Sequence, residues 1–108
     1  MRRDERGFAN PRVTEVGAHF AALVRTARLA RGWSQVELAE RARISAPTMT
    51  RLEQGAISTS LGTWLSVFDA LGLLRLLERI EDPSSEALLD QTRMQRPSRR
   101  IPRDDLDF

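Results

Sequence analysis

Residues 31–39 read Arg31-Gly32-Trp33-Ser34-Gln35-Val36-Glu37-Leu38-Ala39, and residues 44–55 read Ile44-Ser45-Ala46-Pro47-Thr48-Met49-Thr50-Arg51-Leu52-Glu53-Gln54-Gly55. Ser34 and Glu37 have the spacing of a capping box, in which the hydroxyl accepts from the Glu37 amide while the carboxylate reaches back. Leu38, Ala39 and Ala42 then share one face of a short helix that closes near Arg43. Ser45 can cap the next helix, because Pro47 falls in its first turn, where a missing N–H costs no intrahelical bond. Met49 and Leu52 are its inward residues, and Gly55 stops it.

Working outward, Val16, Phe20, Leu23, Val24 and Ala27 recur at helical spacing and predict a first amphipathic helix ending at Gly32. After Ile57-Ser58-Thr59, Ser60 caps a fourth helix whose stripe is Leu61, Trp64, Leu65, Phe68 and Leu71, ending at Gly72. Leu73, Leu74, Leu76, Leu77 and Ile80 continue in a fifth helix or extension. Asp82-Pro83-Ser84-Ser85 breaks the chain and starts a further short helix through Leu89. The expected fold is therefore all-α, divided into a mobile arm over 1–12, a domain over 13–81 and a partly disordered extension over 82–108. Beyond Gln95 the chain is Pro-interrupted and basic, then acidic, and reads as disordered.

A chain of 108 residues, 41% hydrophobic, buries one modest core, so pairing with a second copy is favoured in advance. Cysteine is absent, which excludes disulfides and thiolate metal sites and suits a reducing compartment, with the cytoplasm as the default. No signal peptide or membrane-spanning run is found, so no membrane partner is expected. All 17 basic residues are Arg, yet the net charge is only +2, so the composition alone does not argue for a nucleic-acid partner. His19 has no acidic or cysteine cluster at metal spacing, and no nucleophile elbow or phosphate-binding glycine loop is present. No metal, cofactor or enzymatic activity is expected. Trp64 and Phe68 read as core or dimer contact, with the fourth helix and Leu73 to Ile80 as the dimer face.

The Ser-Gln opening with Leu-Ala one turn later, then a Ser-capped helix closing in Leu-Glu-x-Gly, resembles the Cro/C1 (XRE) helix-turn-helix family over a bit more than half the chain. The resemblance implies a five-helix lambda-repressor-like domain with a short extra C-terminal helix, binding double-stranded DNA as a homodimer on a near-palindromic operator. It implies that Gln35, beside Ser34, clamps a phosphate, and that Ala46, Pro47 and Arg51 lie where bases are read. Arg51 can grip guanine O6 and N7, and Ala46 or Pro47 can touch a thymine methyl. Ser45, Thr48 and Thr50 are phosphate or base candidates, while Gln54, Ser58 and Thr59 face the far strand. Arg28 and Glu53 match a pair that bridges the first helix to the end of the third. The alternative for that pair is two solvated charges worth at most about 1 kcal/mol.

A helix enters the major groove only if its outward face is small and polar near the N-terminus, and Ser45, Ala46, Pro47, Thr48, Thr50 and Arg51 meet that description. Two residues depart from the family pattern. Arg43 stands where the turn usually has Gly, and must either adopt a left-handed conformation at some cost or shift the turn. Ala46-Pro47 offers few donors, so base discrimination leans on Arg51 and on DNA shape.

Residues 62–73, together with 82–89 and the Arg-rich tail, are similar to HipB-type antitoxins, which implies a DNA-binding antitoxin that neutralises a HipA-like serine/threonine kinase toxin and represses its own operon. The alternative is a stand-alone XRE-type transcriptional repressor without a toxin partner. A structural adaptor that has lost DNA binding is the competing class, suggested by Ala46-Pro47 and the low net charge.

Overall fold

The computed structural model describes residues 10–95, and all regular secondary structure among them is helical. The chain divides after Glu78 into two compact units. The first holds α1 (Pro11–Ala30), α2 (Gln35–Ala42), α3 (Ala46–Glu53), α4 (Leu61–Ala70) and α5 (Leu74–Glu78), and the second holds α6 (Pro83–Gln95). Residues 1–9 and 96–108, expected to be a mobile arm and a disordered tail, lie outside the described residues.

Local chemistry sets the helix starts. The side chains of Asn10, Ser34, Ser45 and Ser60 accept from the backbone N–H three residues on, each satisfying a donor that the first turn leaves free. At Ser34 the box closes from both sides, with Glu37 N–H to Ser34 Oγ at 3.0 Å and Ser34 N–H to Glu37 Oε1 at 3.4 Å. α1 begins at Pro11, five residues before the apolar period becomes visible at Val16. The Asn10-Pro11 pair, read from sequence as part of an arm, is the cap and first residue of a 20-residue helix.

The core is built from Ala21 and Val24 of α1, Leu38, Ala39 and Ala42 of α2, Met49 and Leu52 of α3, and Trp64, Val67, Phe68 and Leu71 of α4 and its C-cap. Phe20 meets the rings of Trp64 and Phe68 edge-on, at centroid distances of 6.3 and 5.9 Å. α2 packs against both α3 and α4, and α1 closes over α3. Four residues of the predicted apolar runs, Val16, Leu61, Leu76 and Ile80, are not inside. Val16 is 46% exposed, and Leu61, though in phase with Trp64, lies in the first turn beyond the end of the core and is 72% exposed. Ile80 falls after α5 and is equally open, while Val67, absent from the predicted stripe, is fully buried.

Two connections fix how the helices meet. Arg43, the C-cap of α2, takes the left-handed conformation at φ 59° and ψ 43°, so the turn into α3 keeps its tight geometry without a glycine. Arg31 donates to the carbonyls of Ala27 (2.7 Å) and Leu71 (2.8 Å), joining the C-terminal ends of α1 and α4, where a cation also complements both helix dipoles.

α6 runs for 13 residues, well past the predicted end at Leu89, because Asp90-Gln91-Thr92-Arg93 continues the helix without an apolar period to reveal it. Asp82 opens it, accepting from the Ser84 N–H at 3.0 Å and from the Ser85 hydroxyl.

Candidate nucleic-acid interface

α3 is anchored from beneath by Met49 and Leu52, both with no exposure. That leaves Ser45, Ala46, Pro47, Thr50, Arg51 and Gln54 exposed along its outer side, with Thr48 half-buried among them. Small side chains occupy the N-terminal turn, so the backbone there can approach another surface closely. Ser45 Oγ donates to Thr48 Oγ1 at 2.7 Å, and the Arg51 guanidinium donates back to the same Thr48 oxygen at 3.3 Å. Arg51 is thus drawn toward the N-terminal turn of α3, with the rest of its fork of donors left open.

The two helix starts differ in what they offer an anion. In α3, Pro47 has no N–H and the Thr48 N–H is taken by Ser45, which leaves little to bind a phosphate. In α2, the backbone N–H groups of Gln35 and Val36 have no partner among the described residues, and they lie at the positive end of the helix dipole. The start of α2, with the exposed Ser34 hydroxyl beside it, therefore offers an anion more free donors than the start of α3.

Gln35 is tied into a chain of polar bonds that crosses three helices. Arg28 grips Glu53 with two bonds, Nε to Oε2 at 2.7 Å and Nη2 to Oε1 at 3.0 Å, and its third nitrogen donates to the Trp33 carbonyl at 2.8 Å. The two side chains are only 9% and 3% exposed. The expected alternative of two solvated charges does not hold: this is a buried, bidentate pair joining α1 to the end of α3. The hydrogen bond to Glu53, reinforced by its charge and opposed by burial, holds the Arg28 pKa above its ordinary value. Gln35 Nε2 donates to Glu53 Oε1 at 3.1 Å, and Thr50 Oγ1 donates to Gln35 Oε1 at 3.1 Å.

Hydrogen bonds thus join Gln35, next to Ser34 at the start of α2, to Thr50 of α3, and join Ser45 and Arg51 through Thr48. Gln54 and Ser58 are exposed and make no side-chain hydrogen bond among the described residues. Sequence reasoning missed the Thr50–Gln35 bond, the Arg31 clasp, and the stacking of the Arg41 guanidinium over Trp33 at 4.1 Å from the ring centre. Trp33 precedes the cap of α2 and Arg41 lies in its last turn, so helical periodicity carries no signal for the last.

A family described as Helix-turn-helix domain matches residues 19–79, more than half of the chain. The chain belongs to that family. Its helix-turn-helix is α2, the Arg43 turn and α3, within a five-helix DNA-binding domain. Searches among curated proteins and among solved structures returned no match. No helix among the described residues is long and apolar enough to cross a membrane, and those residues hold no group of three His, Cys, Asp or Glu placed for a metal ion.

Proposed function

We propose that this helix-turn-helix protein is a sequence-specific transcriptional repressor, binding a near-palindromic operator as a homodimer in the cytoplasm. The observation that carries the reading is the outer side of α3, small at its N-terminal turn and bearing the exposed, forward-drawn Arg51. In this reading Arg51 contacts a guanine, Ala46 and Pro47 pack against base edges, and Ser45, Thr48 and Thr50 line the groove. Ser34, Gln35 and the α2 start hold one phosphate, with Gln54 and Ser58 near the other strand. Exposed Leu61 and Leu76, on α4 and α5, support pairing of two copies.

Selection of duplexes from a randomised pool by the full chain tests this directly. A repressor enriches a two-fold-related sequence and binds it with affinity that falls steeply as salt rises. Recovery of no preferred sequence, or affinity indifferent to salt, contradicts it.

The antitoxin reading adds a HipA-like kinase partner to the same DNA-binding domain. Besides the resemblance of 62–73 and 82–89, it is supported by α6, where Leu88, Leu89 and Met94 are 62%, 56% and 87% exposed. Co-expression with neighbouring genes and nuclease-treated purification decides it: a stoichiometric kinase establishes the antitoxin, and a chain that elutes alone leaves the stand-alone repressor.

A further inference from the structure

The Gln35 carboxamide lies between two groups of fixed character. On one side is Glu53, a carboxylate held by two bonds to Arg28 and able only to accept. The amide nitrogen must therefore face Glu53, and the amide oxygen must face away, toward the Thr50 hydroxyl at 3.1 Å. Reversing the amide would set its oxygen against the carboxylate, losing that bond and adding repulsion, whereas the Thr50 hydroxyl, which can accept as well as donate, would tolerate either orientation. With one amide hydrogen given to Glu53, the second has no partner among the described residues. It sits at the start of α2, beside the unbonded backbone N–H groups of Gln35 and Val36.

We infer that Thr50 and Glu53 are positioning residues for Gln35: Glu53 sets the orientation of its carboxamide, Thr50 holds the outward oxygen in place, and together they present a free N–H to a DNA phosphate. The inference rests on the proposed phosphate contact of Gln35. It changes the role of Thr50, whose hydroxyl can give its single hydrogen to Gln35 or to the Ala46 carbonyl, also at 3.1 Å. Thr50 then acts through its neighbour instead of reading a base. Glu53, likewise, carries the Arg28 anchor of the fold through to the DNA-facing side.

The test is a double-mutant cycle on the full chain, with Gln35→Ala, Thr50→Val, the double variant and Thr50→Ser. Each is measured against a duplex selected by the wild-type protein and against a scrambled duplex of the same length. Thr50 is exposed and Val keeps its shape, so folding is preserved, and thermal melting checks it. A phosphate contact is blind to sequence, so Gln35→Ala should weaken binding to both duplexes alike, by about tenfold. Because the lost group is neutral, the salt dependence should stay as in wild type.

Thr50→Val should produce the same even loss in smaller measure, Thr50→Ser should restore wild-type binding, and the double variant should be no weaker than Gln35→Ala alone. Additive losses, or a Thr50→Val defect on the selected duplex only, would overturn the positioning role and return Thr50 to base reading. If Gln35→Ala binds both duplexes as wild type does, the phosphate contact falls and the inference falls with it. If Gln35→Ala is weakened and Thr50→Val is not, the phosphate contact stands and the inference alone is lost.

Discussion

Arg28 and Glu53 are 25 residues apart in sequence and almost wholly buried against each other. Removing one partner of a buried pair strands a charge, so Glu53→Ala should cost about 3–5 kcal/mol, read from urea unfolding. Replacing both together with Arg28→Met and Glu53→Leu should recover a substantial part of that loss, because no charge is then left unpaired. A double variant as unstable as Glu53→Ala would show that the cost lies elsewhere. Arg43 makes the opposite case. Its left-handed backbone carries a penalty that glycine does not, so Arg43→Gly should raise stability by about 1 kcal/mol, with a higher urea midpoint at unchanged slope. The sequence exposed the Arg43 conflict because a turn position has a fixed backbone demand. It could not decide the state of Arg28, because burial there depends on a partner brought in by the fold.

At the scale of helices, four starts follow directly from a polar side chain placed next to three free N–H groups, which is why Ser34, Ser45 and Ser60 were legible as caps. Asn10 was not, because no apolar period begins until Val16. The early turns of α1 are held from a different side: a Cβ on Gly17 would meet Ile57 Cγ2 at 2.8 Å. Gly17→Ala, which should favour a free helix by about 1 kcal/mol, is therefore expected to destabilise here, since Ile57 is stiff about χ1. Truncating the obstacle should reverse the sign, so that Gly17→Ala with Ile57→Ala melts higher than Ile57→Ala alone.

α6 has its own electrostatic cap. Hydrogen bonds from the Ser85 hydroxyl, and then from the Ser84 and Ser85 N–H groups, hold the Asp82 pKa below its ordinary value. The contribution of Asp82 to the α6 start is then fully present above the ordinary aspartate pKa and is lost as pH falls through the lowered one. Carboxyl NMR of the full chain should place the Asp82 midpoint below that of an unstructured aspartate. An unshifted midpoint would remove the cap. The length of α6 escaped the sequence because its second half has polar residues on every side.

For the whole molecule, the proposed DNA-binding face is an outcome of what the core leaves outside. Met49 and Leu52 consume the inner side of α3, and the outer side is then fixed as one set of residues by helical geometry. This explains why the α3 face could be read from sequence while its wiring to Gln35 and Glu53 could not: periodicity assigns faces, and only packing assigns neighbours. Base discrimination in this account rests on few groups, with Arg51 foremost. The most direct measurement is the affinity of wild type and Arg51→Ala for the selected duplex and for each of its single-base-pair variants. Arg51→Ala is expected to lose about 1–3 kcal/mol of discrimination at one guanine position and to keep the wild-type profile elsewhere. An unchanged profile at every position would contradict the placement of α3 in the major groove with Arg51 as its reader.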